Sequence, residues 1–190
     1  MPKIVLMSGS IRRESANSAV IATIRRIIQD RDDRIEVSVV SPRDFPLFDE
    51  DVERAGHPAA LRAARETVAG ADALIVSTPA YNGYPSGVLK NALDWLSRPG
   101  GASPLTGRAV AVVSASPGRA GGANAVPHLR QILANCGAEV LAHEPVSVGD
   151  AVALRTAEGV YGDPDVLARL SGLVDAVLDR VAGPAAVPAL

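Results

Sequence analysis

The chain has 190 residues, 47% of them apolar but only 3% aromatic, and a formal net charge of −2. That length buries one α/β core and is short for two, and a near-neutral chain without a basic stripe excludes the usual nucleic-acid partner. The single Cys136 excludes an internal disulfide, the spacing of His57, His128 and His143 excludes a metal-ligand set, and no run reaches the roughly 18 apolar residues of a membrane span.

A short apolar run, Ile4–Met7, opens the chain and reads as a strand buried on both sides. It leads through Gly9-Ser10-Ile11-Arg12-Arg13-Glu14-Ser15-Ala16-Asn17 into an amphipathic helix predicted over Asn17–Gln29. Further strands are expected at Ile35–Val40, Ala73–Ser77, Ala109–Ser114 and Val140–Val148, the last interrupted by Pro145. Helices are expected at Pro58–Ala69, Pro85–Ser97, Gly122–Asn135 and Asp163–Val181. Cys136 falls at a helix end and reads as a packing residue in a reducing compartment, so a cytoplasmic location is expected. One domain is expected over residues 1–181, followed by a frayed Pro/Ala-rich tail over 182–190.

Strands alternating with helices imply a parallel sheet covered on both faces. Five strands with a mononucleotide loop after the first fit the doubly wound order 2-1-3-4-5, in which ligands lie at the switch point between strands one and three. The loops after Met7, Ser77 and Ser114 are therefore expected to converge.

The first of these loops looks built for one phosphate. The Ser10 and Ser15 hydroxyls, the Asn17 amide, the Arg12 guanidinium and the N–H groups of a helix start all offer donors to an anion. A dinucleotide fingerprint relies on several glycines so that bare backbone meets a pyrophosphate; here side chains surround a terminal monoester. The second loop, Thr78-Pro79-Ala80-Tyr81-Asn82-Gly83-Tyr84, suits a planar ligand: Tyr81 has an apolar face with a polar tip, and Asn82 has both donor and acceptor for a heterocycle edge. A monophosphate cradle beside a ring-edge loop describes flavin mononucleotide, FMN.

Gly9-Ser10-Ile11-Arg12-x-x-Ser15-x-Asn17, Pro79-Ala80-Tyr81-Asn82-Gly83 and Leu89-Lys90-Asn91-Ala92-Leu93-Asp94-Trp95-Leu96 together resemble the NAD(P)H-dependent FMN reductase family, which includes chromate and quinone reductases. Phe45–Asp51 and Ser114–Ala123 extend the likeness, which covers roughly Met1 to Val148. The resemblance implies a flavodoxin-like fold. It also implies that Ser10, Arg12, Ser15, Ala16 and Asn17 hold the FMN phosphate, that Pro79, Ala80, Tyr81, Asn82 and Gly83 border the isoalloxazine, and that Ser116 and Gly118 lie near its pyrimidine side or the ribityl chain. Ala80 stands where the family often has Glu, and Tyr84 where a smaller residue is common. Lys90, Asp94 and Trp95 match the family helix and read as structural.

The expected reaction is hydride transfer from NADPH or NADH to FMN and on to a quinone, flavin, azo or metal-oxyanion acceptor, with ping-pong kinetics. No side chain need act as a base, and the N–H groups of Ser116–Gly122 are the candidate donors to the reduced ring. A homodimer or dimer of dimers is expected, and the resemblance implies that Phe45–Asp51 and the helix Pro85–Ser97 face the partner. The alternative is a flavodoxin-type electron carrier without nicotinamide turnover, a class that is usually far more acidic than this chain.

Overall fold

The computed structural model describes residues 1–183. Strand β1 (Lys3–Ser8) is followed by α1 (Ala16–Arg31), β2 (Glu36–Val40), α2 (Glu50–Ala55), α3 (Ala59–Ala69) and β3 (Ala73–Thr78). A short ribbon of β4 (Ala80–Tyr81) and β5 (Tyr84–Pro85) then precedes α4 (Gly87–Leu96), β6 (Ala109–Ala115), α5 (Val126–Asn135), β7 (Glu139–Val140), β8 (Val146–Val148) and α6 (Pro164–Ala182).

The main sheet runs β2-β1-β3-β6-β7, all parallel, with β8 also paired to β6. It has six strands where five were expected. The expected fifth strand, Val140–Val148, is two pieces on one edge: β7 pairs with Ala109 and Val110, β8 with Val113 to Ala115. Pro145 lacks the N–H a ladder needs, and the chain, off the sheet since the end of β7 at Val140, rejoins it only at Val146, the residue after the proline.

Alternation along the central strands feeds two cores. Ile4, Leu6, Ala73, Ile75, Ala111 and Val113 face α1 and α6, whereas Val5, Met7, Leu74, Val76, Val110 and Val112 face α3, α4 and α5. Both faces of β1, β3 and β6 are therefore dry, and their unbroken apolar runs follow from that burial.

The expected helix Pro85–Ser97 begins at Gly87 instead, because the Ser86 hydroxyl accepts from the Leu89 N–H as its N-cap. Pro85 belongs to β5, opposite Ala80. Similarly, Gly122–Asn135 opens with a 3-10 turn, Ala123–Ala125, before α5 proper. Helix α2 lies where no element was expected; Asp49, whose side chain accepts from the Asp51 N–H, is its cap. Of the expected tail, Ala182 ends α6, and residues 184–190 lie outside the described residues.

The segment before α2 is pinned to α4. Trp95 Nε1 and Asn91 Nδ2 both donate to the Pro46 carbonyl at 2.8 Å, the Phe48 N–H donates to Asn91 Oδ1, and the Phe48 ring meets Trp95 edge-on at 4.9 Å. Trp95 is fully buried by these contacts and anchors the segment. Lys90 and Asp94 form an exposed pair at 2.6 Å one turn apart, worth a few tenths of a kcal/mol.

Candidate functional site

The loops after β1, β3 and β6 meet at the carboxyl edge of the sheet around a pocket of about 140 Å³. It is lined by Ser10, Arg12, Ser15, Ala16, Asn17, Pro79, Ala80, Tyr81, Ala115, Ser116 and Pro117. Nine of the twelve residues singled out from the sequence are in that lining. Asn82, Gly83 and Gly118 are not, and Ala115 and Pro117 are additions that only the end of β6 brings in.

The first loop has donors to give. Ser15 is the N-cap of α1: its Oγ accepts from the N–H groups of Asn17 and Ser18, at 3.1 and 3.3 Å, so its own proton is available to a further acceptor. The Ser10 hydroxyl has no partner among the described residues, while its N–H donates to Ser8 Oγ. Arg12 is exposed, with one guanidinium nitrogen on the Glu14 carbonyl at 3.2 Å. No carboxylate lines the pocket, and the start of α1 adds its dipole.

Asn17 is engaged more deeply than the sequence suggests. Its Oδ1 accepts from the Ser77 hydroxyl at 2.7 Å and its Nδ2 donates to the Ala115 carbonyl at 3.0 Å, leaving one amide N–H for a ligand. This buried residue ties the first loop to β3 and β6. Gly9 is equally confined: a Cβ there would stand 2.9 Å from the Ser77 carbonyl oxygen.

The second loop is a tight hairpin. Asn82 (φ 51°) and Gly83 (φ 87°) form its two-residue turn, and Tyr81 pairs with Tyr84. Asn-Gly with both residues at positive φ is the pattern that matches the strand twist. Asn82 is thus a turn residue, and Tyr81 carries the hairpin's exposed aromatic face to the pocket rim. Tyr84 lies outside the lining and stacks on His128 of α5, with ring centroids 4.2 Å apart.

The third loop is clamped by the segment after β8. The N–H groups of Ser116 and Ala151 donate to the carbonyls of Val148 and Ser116, and Gly118 donates to Ser116 Oγ. The N–H groups of Arg119, Ala120 and Gly122 remain without a partner among the described residues. Ala80 is small where this loop passes: a Cβ on Gly122 would already lie 3.3 Å from the Ala80 Cβ.

Behind the first loop, Tyr161 is buried against α1. Its hydroxyl reaches the carbonyls of Ala16 at 3.2 Å and Ala151 at 3.0 Å, and burial pushes its pKa up to about 12. Cys136 is half-buried at the end of α5, where burial likewise raises its thiol pKa. No helix among the described residues is long and apolar enough to cross a membrane.

Residues 2–153 match the family model described as NADPH-dependent FMN reductase. Over 131 residues the chain is 40% identical to an NAD(P)H-dependent FMN reductase of Pseudomonas aeruginosa, covering 69% of each protein. It is 38% identical over 152 residues to a quinone reductase of Escherichia coli, covering 79% of this chain and 78% of the relative. A solved flavoenzyme NAD(P)H:(acceptor) oxidoreductase from Paracoccus denitrificans superposes with a TM-score of 0.85 at 27% identity, over 96% of this chain and 98% of that one.

Proposed function

The chain belongs to the NADPH-dependent FMN reductase family, and on that premise we propose that it carries two electrons from NAD(P)H to a small-molecule acceptor such as a quinone, with FMN held at the three-loop pocket. The observation that carries this reading is the pocket itself: anion donors from one loop share its lining with the aromatic-edged hairpin and with Ala115, Ser116 and Pro117 of the third loop. The donor set fits a flavin monophosphate, because hydroxyls and a guanidinium converge there with no carboxylate among them. When bound, FMN supplies the hydride chemistry itself.

The chain's own residues bind and orient. Ser10, Ser15 and Arg12 hold the phosphate with the N–H groups at the start of α1, and the free amide proton of Asn17 completes the set. Pro79, Ala80 and Tyr81 border the ring, and Asn82 and Gly83 act by shaping the hairpin that presents Tyr81. Ser116 borders the ribityl side, and Gly118 lets its loop turn there. The N–H groups of Arg119, Ala120 and Gly122, unpartnered among the described residues, are the donors this reading assigns to the negative charge that a bound, reduced flavin would carry. Nucleotide and acceptor use one open side in turn, which makes the kinetics ping-pong. Quinones, free flavins, azo dyes and metal oxyanions all fit an acceptor site of that kind.

Purified protein should show flavin absorption that bleaches on anaerobic addition of NADPH and returns when a quinone is added. Protein that binds no added FMN overturns the proposal, and flavin that stays yellow with NADPH and NADH alike indicates an electron carrier instead. We also infer a homodimer through the Phe45–Asp51 segment and α4. Leu47 is 83% exposed there while its neighbours Pro46 and Phe48 are fastened to the helix. Sedimentation at micromolar concentration should give twice the chain mass.

A further inference from the structure

Arg12 separates the flavin pocket from a second, larger hollow of about 360 Å³. Arg12, Arg13 and Arg155 line it with Glu14, and Ala151 and Val152 supply an apolar wall. Three guanidinium groups thus face one carboxylate. Only one ion pair joins them among the described residues, Arg155 to Glu14 at 3.4 Å, and the Glu14 side chain is 78% exposed. The Arg155 side chain is only 23% exposed, and its backbone is held by a bridge to the buried Tyr161. A partly buried cation whose one ion-pair partner is long and exposed has room for a further anion.

We propose that this hollow receives the 2′-phosphomonoester of NADPH, making Arg13 and Arg155 the residues that favour NADPH over NADH. The inference rests on the flavin-reductase reading above. A nicotinamide laid on the open side of the flavin pocket has two ways out for its adenosine end. One leads over the hairpin, past the exposed rings of Tyr81 and Tyr84 and the His128 stacked on the latter. The other leads past Arg12 into the hollow. A phosphomonoester bears nearly two negative charges at neutral pH, and with Arg12 turned to the flavin phosphate it meets Arg13 and Arg155 against the single carboxylate of Glu14. NADH lacks that group and gains nothing from the match. A smaller hollow of about 220 Å³ on the other side of the loop shares Arg12 and Arg13 and adds Arg43. There the Arg43 guanidinium already donates to the Ile11 carbonyl, so it is the less demanding cation.

The test uses the FMN-loaded protein and the variants Arg13→Ala, Arg155→Ala, Arg155→Lys and Arg43→Ala. Flavin loading is checked first by absorbance. Wild-type protein should prefer NADPH in kcat/KM. Arg13→Ala and Arg155→Ala should each lower kcat/KM for NADPH by about tenfold while NADH stays within about twofold. Arg155→Lys should keep part of the preference, and Arg43→Ala all of it. Calorimetry judges the hollow without turnover: 2′,5′-ADP should bind wild-type protein more tightly than 5′-AMP or inorganic phosphate, and Arg155→Ala should remove that difference. Equal use of the two nucleotides by wild type overturns the inference and leaves flavin reduction standing. So does an equal loss for both nucleotides in Arg155→Ala, or a preference lost in Arg43→Ala instead. Inorganic phosphate binding as tightly as 2′,5′-ADP makes the hollow a simple anion site and likewise overturns it. Failure of both nucleotides to bleach the flavin strikes the underlying reading, and 2′,5′-ADP binding then decides the hollow by itself.

Discussion

The Ser77 hydroxyl donates to the Asn17 side-chain carbonyl across 2.7 Å, joining the end of β3 to the first turn of α1. Because Asn17 also donates to the Ala115 carbonyl, one amide fastens together the three loops that make the pocket. Ser77 is fully buried, so the loss of its acceptor leaves a polar group without water. Asn17→Leu should therefore destabilise the fold by about 2–4 kcal/mol in urea denaturation. Adding Ser77→Ala should recover part of that loss, since both partners of the bond are then gone.

Arg12→Ala separates binding from stability. The guanidinium is exposed and its one hydrogen bond is local, so the urea midpoint should hardly move. Hydrogen bonds to a charged phosphate are worth about 1.5–3 kcal/mol, which predicts FMN binding weakened roughly 10- to 150-fold by fluorescence titration. An unchanged FMN affinity would remove Arg12 from the phosphate site.

Gly149→Ala tests the clamp on the third loop. A Cβ at Gly149 would collide with the Arg119 carbonyl oxygen and stand 2.8 Å from its carbon, so the two loops must part. Both atoms are backbone and neither can swing away. The variant should lose about 1–3 kcal/mol of stability and bind FMN more weakly, because the Ser116–Gly122 loop is displaced with it.

Alkaline stability should depend on Tyr161. Its pKa is raised to about 12 in the folded chain from an ordinary 10, and the neutral hydroxyl is the form that bonds to Ala16 and Ala151. Its contribution is therefore complete below pH 10 and falls away between pH 10 and 12, where the unfolded chain gives up its proton first; the loss is about 3 kcal/mol over the whole range. Tyr161→Phe should cost about 1–2 kcal/mol at neutral pH and flatten that part of the stability curve, as read by urea midpoints from pH 8 to 11.

Much of the site was legible because its signals are local. Ser15 before an apolar-periodic stretch marks a helix start wherever it occurs, and the N-cap hydrogen bonds follow from backbone geometry alone. The apolar runs of β1, β3 and β6 announced burial on both faces, which places those strands mid-sheet and their following loops at one edge. The hairpin carried a signal that the helical reading passed over. Asn82-Gly83 is the strongest short-range mark of a two-residue turn, and it outranks Pro85 as a helix start because Ser86 supplies the cap one residue later.

What the chain determines by itself is the alternation of strand and helix, the polar loop at the first helix start and the family to which those motifs belong. Each is written in neighbouring residues, whose spacing sets period, cap and turn. The split of the last strand, the Asn17 bridge to Ser77 and Ala115, and the hollow between Arg13 and Arg155 were decided only by tertiary packing. Their partners lie 60, 98 and 142 residues apart or depend on which edge of β6 is open, and nothing in a local pattern says which distant groups will share one desolvated space.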